Sequence, residues 1–575
     1  MVASEFDFIV VGSGPAGSSV AWRLANSKKA PSVLLVESGG LNSNIDFRVD
    51  GERWLTRLNP ELNYNYTTVP QKHLDNRELP YDRGRGLGGS SAINFAAWNI
   101  GPKDDHDEIA RLAGDDDWKW ENAIQRYKRL EDYHGFAPDI PPGMERYLNP
   151  KPENHGRGGP IKIGMPKTWE PTLTKTIDIW AEAGYKLRAD LSDGEGLGLA
   201  VSPHTGFEGV RSTSADMVIN GPGNLHIVTN SQVVKVLFDG KKAIGIETIA
   251  GDIYHASKEI ILSAGTLDTP KILMHSGIGP LEQLSKFGIS IVHENSAVGQ
   301  NLGDHYHILP TWERRETPDM AARIAFCHGS PEEKAAAREQ WQKYHTGPFA
   351  DIFTNFGLGM FKAPAVFESK EFIDLPEDSK RHLLAPTTPS YEVIIDAPPI
   401  EYFVDPTNSP ALLAVYIFIM NEEARGSVTL QSADPKEPLR FDPNCFGHPY
   451  GRRVAIEATR EVLKVVESPA LGNVIIGPSA ISGTPKSSSD EDILEYWKKN
   501  MVSTWHMTGT CKMGMSEKED SAVVDSKLKV FGVENLRVAD MSVVPIMPNN
   551  HTQTTAYLVG LTLGDKMVNE YGLDE

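Results

Sequence analysis

Apolar positions follow two rhythms along this chain. Phe6-Asp7-Phe8-Ile9-Val10-Val11 and Val33-Leu34-Leu35-Val36 are short, nearly continuous apolar runs, and between them Ala16, Val20, Ala21 and Leu24 recur at helical spacing. This predicts a buried strand, a helix and a second buried strand. Further on, Glu121 to Leu130 reads as a helix whose apolar and aromatic positions are core, and Leu225 to Val228 as a strand. Val233 to Phe238 and Ala243 to Glu247 flank an Asp239-Gly240 hairpin signal. Leu412 to Ile419 and Ser427 to Leu430 are predicted strands, and the charged, alanine-rich Lys334 to Gln342 run a solvated helix.

The turn inside the first unit gives it a chemistry. It reads Gly12-Ser13-Gly14-Pro15-Ala16-Gly17. Gly12 permits the tight turn, Gly14 leaves room for a pyrophosphate, and Gly17 lets helix and strand pack closely, while the helix N-terminus offers free N–H groups to the anion. Glu37 stands 20 residues after Gly17, placed to accept from a ribose diol, with Ser38 beside it. The unit predicts dinucleotide binding without separating FAD from NAD.

Composition narrows the class. At 575 residues the chain is expected to form two to four domains, and 40% hydrophobic with 23% charged residues is a globular balance. A net charge of −20 argues against nucleic acid or an anionic membrane as partner. Cys327, Cys445 and Cys511 are too few and too scattered for a disulfide framework or a metal cluster, and are expected to be buried thiols. No apolar run is long enough for a membrane span. Met1-Val2-Ala3-Ser4 leads almost directly into the first strand, so no secretory signal is read; the expectation is an intracellular protein, or a secreted one whose leader has been removed.

Glycine density marks a second stretch, Arg83-Gly84-Arg85-Gly86-Leu87-Gly88-Gly89-Ser90-Ser91-Ala92-Ile93-Asn94, suited to backbone lying against a planar or phosphorylated ligand. It resembles the first signature of the glucose–methanol–choline (GMC) family of FAD oxidoreductases. Gly265 to Pro270 with Lys271 to Gly279 resembles the second signature, and Val298 to His305 and Trp505 to Asp565 continue the likeness. Its motifs are closest to aryl-alcohol-oxidising and glucose-dehydrogenase-like members.

The resemblance implies an α/β fold: a Rossmann-like FAD-binding domain in three parts (1–155, 206–305 and 499–575) and a sheet-and-helix substrate domain in two (156–205 and 306–498). A compositional shift after Tyr306, with proline-rich Ala385 to Pro389 and Ala397-Pro398-Pro399, fits the last of these. It implies that Gly12, Gly14, Pro15, Ala16, Gly17, Glu37, Ser38, Gly89, Ser90, Asn94, Phe95, Ala96, Val233, Asp540, Met541, Thr552 and Gln553 contact FAD. Phe95 and Trp505 are substrate-facing candidates, a core position being equally open for Phe95. His506 and His551 match the catalytic positions: His506 as base for the alcohol proton, His551 as its hydrogen-bonding partner, with their roles open to a different division. The reaction implied is oxidation of a primary, aryl or furan alcohol or a sugar by hydride transfer to flavin N5, with oxygen or another acceptor. Some relatives attach FAD through a histidine in the first signature; Ser90 and Ser91 stand there here, so FAD is expected to be non-covalent. The alternative is a non-redox lyase or cyclase that keeps FAD structurally.

Overall fold

The computed structural model describes residues 4–136, 140, 142–352, 354–398, 411–518 and 520–575; Met1 to Ala3 and Pro399 lie outside these. The first predicted unit forms as strand Glu5–Val11, helix Pro15–Ala25 and strand Val33–Val36. The two strands are parallel neighbours, Phe8 beside Val33 and Val11 beside Val36. Leu225–Val228 flanks Val33–Val36, and Ile253–Leu262 flanks Glu5–Val11 on the other side. Their sequences show no alternation because both faces are covered: Phe8, Ile9, Val10, Leu34 and Leu35 are fully buried.

The predicted hairpin, Val233–Asp239 with Lys242–Thr248, extends this sheet antiparallel along the first half of Ile253–Leu262, where burial alternates. Leu536–Val538 pairs in parallel with the buried second half and brings the C-terminal segment back to the sheet, completing seven strands. Helix Gln553–Glu570 then packs across Pro15–Ala25.

A second sheet of eight strands runs Ile475–Pro478, Thr311–Arg314, Leu412–Ile419, Tyr391–Ile395, Gly357–Phe361 and Gly198–Val201, with Tyr306–Ile308 joined to Leu412–Ile419 and to Val502–Ser503. Tyr391, Val393, Ile395, Val415, Ile417 and Ile419 point into one large apolar core. The opposite face carries Ile394, Tyr416 and Phe418. His307 pairs with Phe418 and Phe418 with Glu392, so these three form one row across three strands.

Three expectations change. Ser427–Thr429 is a strand, but it pairs only with Arg440–Asp442 in a separate ribbon. The Lys334 to Gln342 run lies in helix Pro331–Tyr344, capped by Ser330 and Glu333, yet Ala337 and Trp341 are buried against Val49 and Phe349, so it is a packed helix with one solvated face. Cys445 and Cys511 are buried free thiols, whereas Cys327 is only partly buried.

Candidate active site

Two clefts with about 1130 and 1090 Å³ of empty space meet at Pro15, Arg83, Ser90, Met541 and Ala556. The first is the dinucleotide end. It is lined by the glycine turn, by Glu37 and Ser38, by Gly89, by Val233 at the start of its strand, and by Asp540. The N-termini of helices Pro15–Ala25 and Gly265–His275 both open on it. Gly12 has φ +98°, and a methyl group there would lie 2.3 Å from the Ser263 carbonyl oxygen; one on Gly17 would lie 2.0 Å from that of Gly12. Nothing lies within 4 Å of a methyl group placed on Gly14, so the backbone there faces open space. That combination fits a pyrophosphate drawn onto a helix N-terminus.

Glu37 does more than its spacing suggests. Its carboxylate accepts from Ser13 N (3.0 Å), Ser13 Oγ (2.7 Å), Ser38 Oγ (3.1 Å), Gly39 N (2.9 Å) and Gly86 N (3.0 Å). It therefore clamps the first glycine turn to the second while remaining on the cleft wall. Asp540 acts similarly, accepting from Gly265 N (2.9 Å), Thr269 Oγ1 (2.6 Å) and Ser542 N (2.7 Å). Burial raises its carboxyl above the usual range despite these donors.

The second cleft holds Asn94, Phe95, Ala96, Trp505, His506, His551, Thr552 and Gln553. All of the sequence-predicted residues except Gly17, which packs behind the turn, therefore line one cleft or the other. Gln553 accepts from Asn94 Nδ2 at 3.0 Å and donates to the Ala97 carbonyl at 2.6 Å, tying the start of the last helix to the first signature. Phe95 lines the cleft while packing against the apolar cluster around Trp54: its ring lies 4.6 Å from that of Trp54 and 5.9 Å, edge-on, from that of Trp505.

The two histidines converge, their ring centroids 5.2 Å apart. His506 is positioned by Asp304, whose Oδ1 accepts the His506 backbone N–H at 2.8 Å; Tyr81 and Ser503 donate to Oδ2 at 2.7 and 2.5 Å. Its Nδ1 meets Nδ1 of His305 at 3.1 Å. Burial, then the nearby His551, His305 and Arg83, hold the His506 pKa well below the ordinary value, so its imidazole is neutral at neutral pH. His305 is pushed down to about 3, first by burial and then by His551. His551 is held through Nε2 by the buried carboxylate of Glu392 at 2.8 Å.

His305, Glu392, Arg57 and His307 were not among the predicted site residues. His305 lies inside a motif that resembles the family. Nothing local marks Glu392, since its role comes from the row it shares with Phe418 and His307.

Residues 6–307 match the N-terminal GMC oxidoreductase domain, and residues 422–560 the C-terminal one. The chain belongs to the GMC oxidoreductase family. GMC oxidoreductases are FAD-dependent flavoproteins, and the glycine turn, the two helix N-termini and the open space at Gly14 fit that cofactor. The glucose-methanol-choline family oxidoreductase mfmG of Annulohypoxylon moriforme is 30% identical, the match covering 94% of this chain and 90% of that protein. The oxygen-dependent choline dehydrogenase of Citrobacter koseri is also 30% identical, with 98% and 95% covered. A solved structure of formate oxidase from Aspergillus oryzae RIB40 matches with a TM-score of 0.87 and 28% identity, covering 99% of each chain.

Proposed function

We propose that this GMC oxidoreductase oxidises a CH–OH donor, with His506 taking the hydroxyl proton as the carbon gives up hydride. The observation that carries this reading is the pair His506 and His551, converging on an apolar cleft that opens onto the dinucleotide cleft. Relatives named for choline and formate oxidation support oxidation of a small-molecule donor. FAD, when bound, supplies N5 of its isoalloxazine as hydride acceptor.

The residues do the rest. The Nδ1 to Nδ1 contact between His506 and His305 needs one proton between two rings; carried by His506, it leaves Nε2 as a free lone pair for the alcohol. A neutral imidazole is the form able to accept that proton. His551, oriented by Glu392, hydrogen-bonds the same oxygen and fixes its direction. Phe95, Trp54, Phe418 and Trp505 keep the carbinol carbon away from bulk water and favour a ring-bearing alcohol over a sugar.

An anaerobic absorbance scan of the yellow protein against aliphatic alcohols, aryl alcohols and sugars tests this. An aryl alcohol is expected to bleach the flavin, and His506→Ala to slow bleaching by about 10²–10⁴-fold with FAD still bound. Unchanged bleaching in the variant removes His506 as the base; a flavin that no donor bleaches favours the lyase or cyclase reading. Readmitting air then separates an oxidase, whose colour returns quickly, from a dehydrogenase.

A further inference from the structure

Three side chains on the wall of the second cleft carry a buried polar atom with no hydrogen-bond partner: Arg57 at Nε, His307 at Nδ1 and Trp505 at Nε1. Each of these atoms is closed off from solvent, so what this wall offers a ligand is the rest of the Arg57 guanidinium. Arg57 is the informative one. Among the described residues its guanidinium makes one hydrogen bond, Nη1 to Asp82 Oδ2 at 2.8 Å, and lies 5.3 Å from the centroid of the Trp505 ring. The other oxygen of Asp82 is taken by Asn63 Nδ2 at 2.8 Å. One corner of the planar fork is anchored and the side chain is still 21% exposed, so N–H groups remain for a second acceptor.

His307 is 8% exposed, and burial followed by the proximity of Arg57 pushes its pKa down to about 3. Arg57 thus has a neutral imidazole beside it and one carboxylate partner already fixed. His305, which touches His506, immediately precedes strand Tyr306–Ile308, in which His307 pairs with Phe418; two residues of extended chain advance about 6.6 Å. That is roughly the length of a substituted benzene ring, and the walls between are aromatic: Phe95, Tyr416 and Phe418.

We propose that Arg57, with His307 beside it, anchors an anionic ring substituent, and that the preferred donor is an aromatic alcohol carrying a carboxylate across the ring from its CH–OH group. The proposal rests on the reading of this cleft as an alcohol-oxidising site. The carboxylate takes the free edge of Arg57, the ring lies between the aromatic walls, and the CH₂OH group reaches His506 and His551. There His506 would take the O–H proton, and FAD, when bound, would supply the acceptor for the carbinol hydride, so that the alcohol becomes the aldehyde as the flavin is reduced.

The test uses the holoenzyme and a matched pair, 4-(hydroxymethyl)benzoate and benzyl alcohol. Anaerobic flavin reduction is expected to favour the carboxylated alcohol in kcat/KM by about tenfold or more, a ratio that Arg57→Leu collapses and Arg57→Lys partly restores. Calorimetric titration with benzoate and benzamide reads the same anchor without turnover: benzoate is expected to bind about tenfold more tightly, and Arg57→Leu to abolish the difference. Equal kcat/KM for the two alcohols in the parent enzyme overturns the proposal, as does a variant that slows both by one factor. Should Arg57→Leu not fold, the benzoate and benzamide titration of the parent decides. Benzyl alcohol reducing the flavin with no gain from the carboxylate sinks this inference alone; benzoate binding through Arg57 with neither alcohol oxidised counts against the alcohol-oxidation reading instead.

Discussion

The base role proposed for His506 rests on what surrounds it rather than on its own flanks. Partly buried on the cleft wall and in contact with His305, it stays neutral, and Asp304 fixes the backbone that presents it. His551 has a different partner, Glu392, whose carboxylate comes from strand Tyr391–Ile395 of the second sheet. Ser90 and Ser91 decide a third property. Ser90 Oγ accepts from Gly84 N at 3.0 Å and Ser91 Oγ donates to the Gly88 carbonyl at 2.6 Å, so both hydroxyls shape the glycine loop, and neither is a group that bonds flavin. We therefore propose non-covalent FAD. Acid precipitation is expected to leave the yellow colour in the supernatant; a pellet that stays yellow after washing refutes this. His506, His551 and the glycines were legible because each sits in a patterned stretch. Arg57 and Glu392 were not: one arginine in a single helical turn and one glutamate in an apolar strand meet partners, such as Trp505 and His551, that are remote in the sequence.

At the scale of elements, the strand, turn and helix of residues 5–25 are clamped from outside by the last helix. Methyl groups on Gly560 and Gly564 would lie 2.2 Å from the Ala16 carbonyl oxygen and 2.7 Å from the Arg23 Cβ. Gln553–Glu570 thus lies directly on Pro15–Ala25, with Gln553 reaching the second cleft from its N-terminus. A larger residue must push the helices apart and move both cofactor ends together. Gly560→Leu is expected to destabilise by about 1–3 kcal/mol or more and to weaken FAD retention. Thermal unfolding and the ratio of flavin to protein absorbance check it; a variant with parental Tm and full FAD content means that the contact is not tight. The hairpin at Asp239-Gly240 was readable from two residues, whereas Ser427–Thr429 was readable as a strand but its pairing with Arg440–Asp442 was not, because a strand's pattern does not name its partner.

Over the whole molecule, burial sets the response to acid. His305 and His307 are pushed to about 3, and His275 to about 4, by desolvation first. As pH falls below about 6.5 the unfolded chain takes up protons at these sites and the native chain does not, so stability falls by about 1.4 kcal/mol per pH unit for each net proton. Burial works oppositely on Asp304, raised to about 6, and Glu422, raised to about 7, since the native chain protonates these first. Their offset is complete near pH 4, below which His305 and His307 continue to lose and Glu570, held down to about 2 by Lys529 and Arg537 against its own desolvation, begins to. Tm is expected to decline from pH 6.5 downward and to steepen below about 4; a Tm that rises or holds over that range contradicts the assignment. The sequence by itself determined the dinucleotide unit, the family and the two histidines, because glycine turns, apolar runs and short motifs act locally. Only the tertiary structure decided that His305 contacts His506, that Glu392 holds His551 and that Arg57 stands on the cleft wall. Those roles depend on strand register and burial, which arise when segments far apart in the chain pack together.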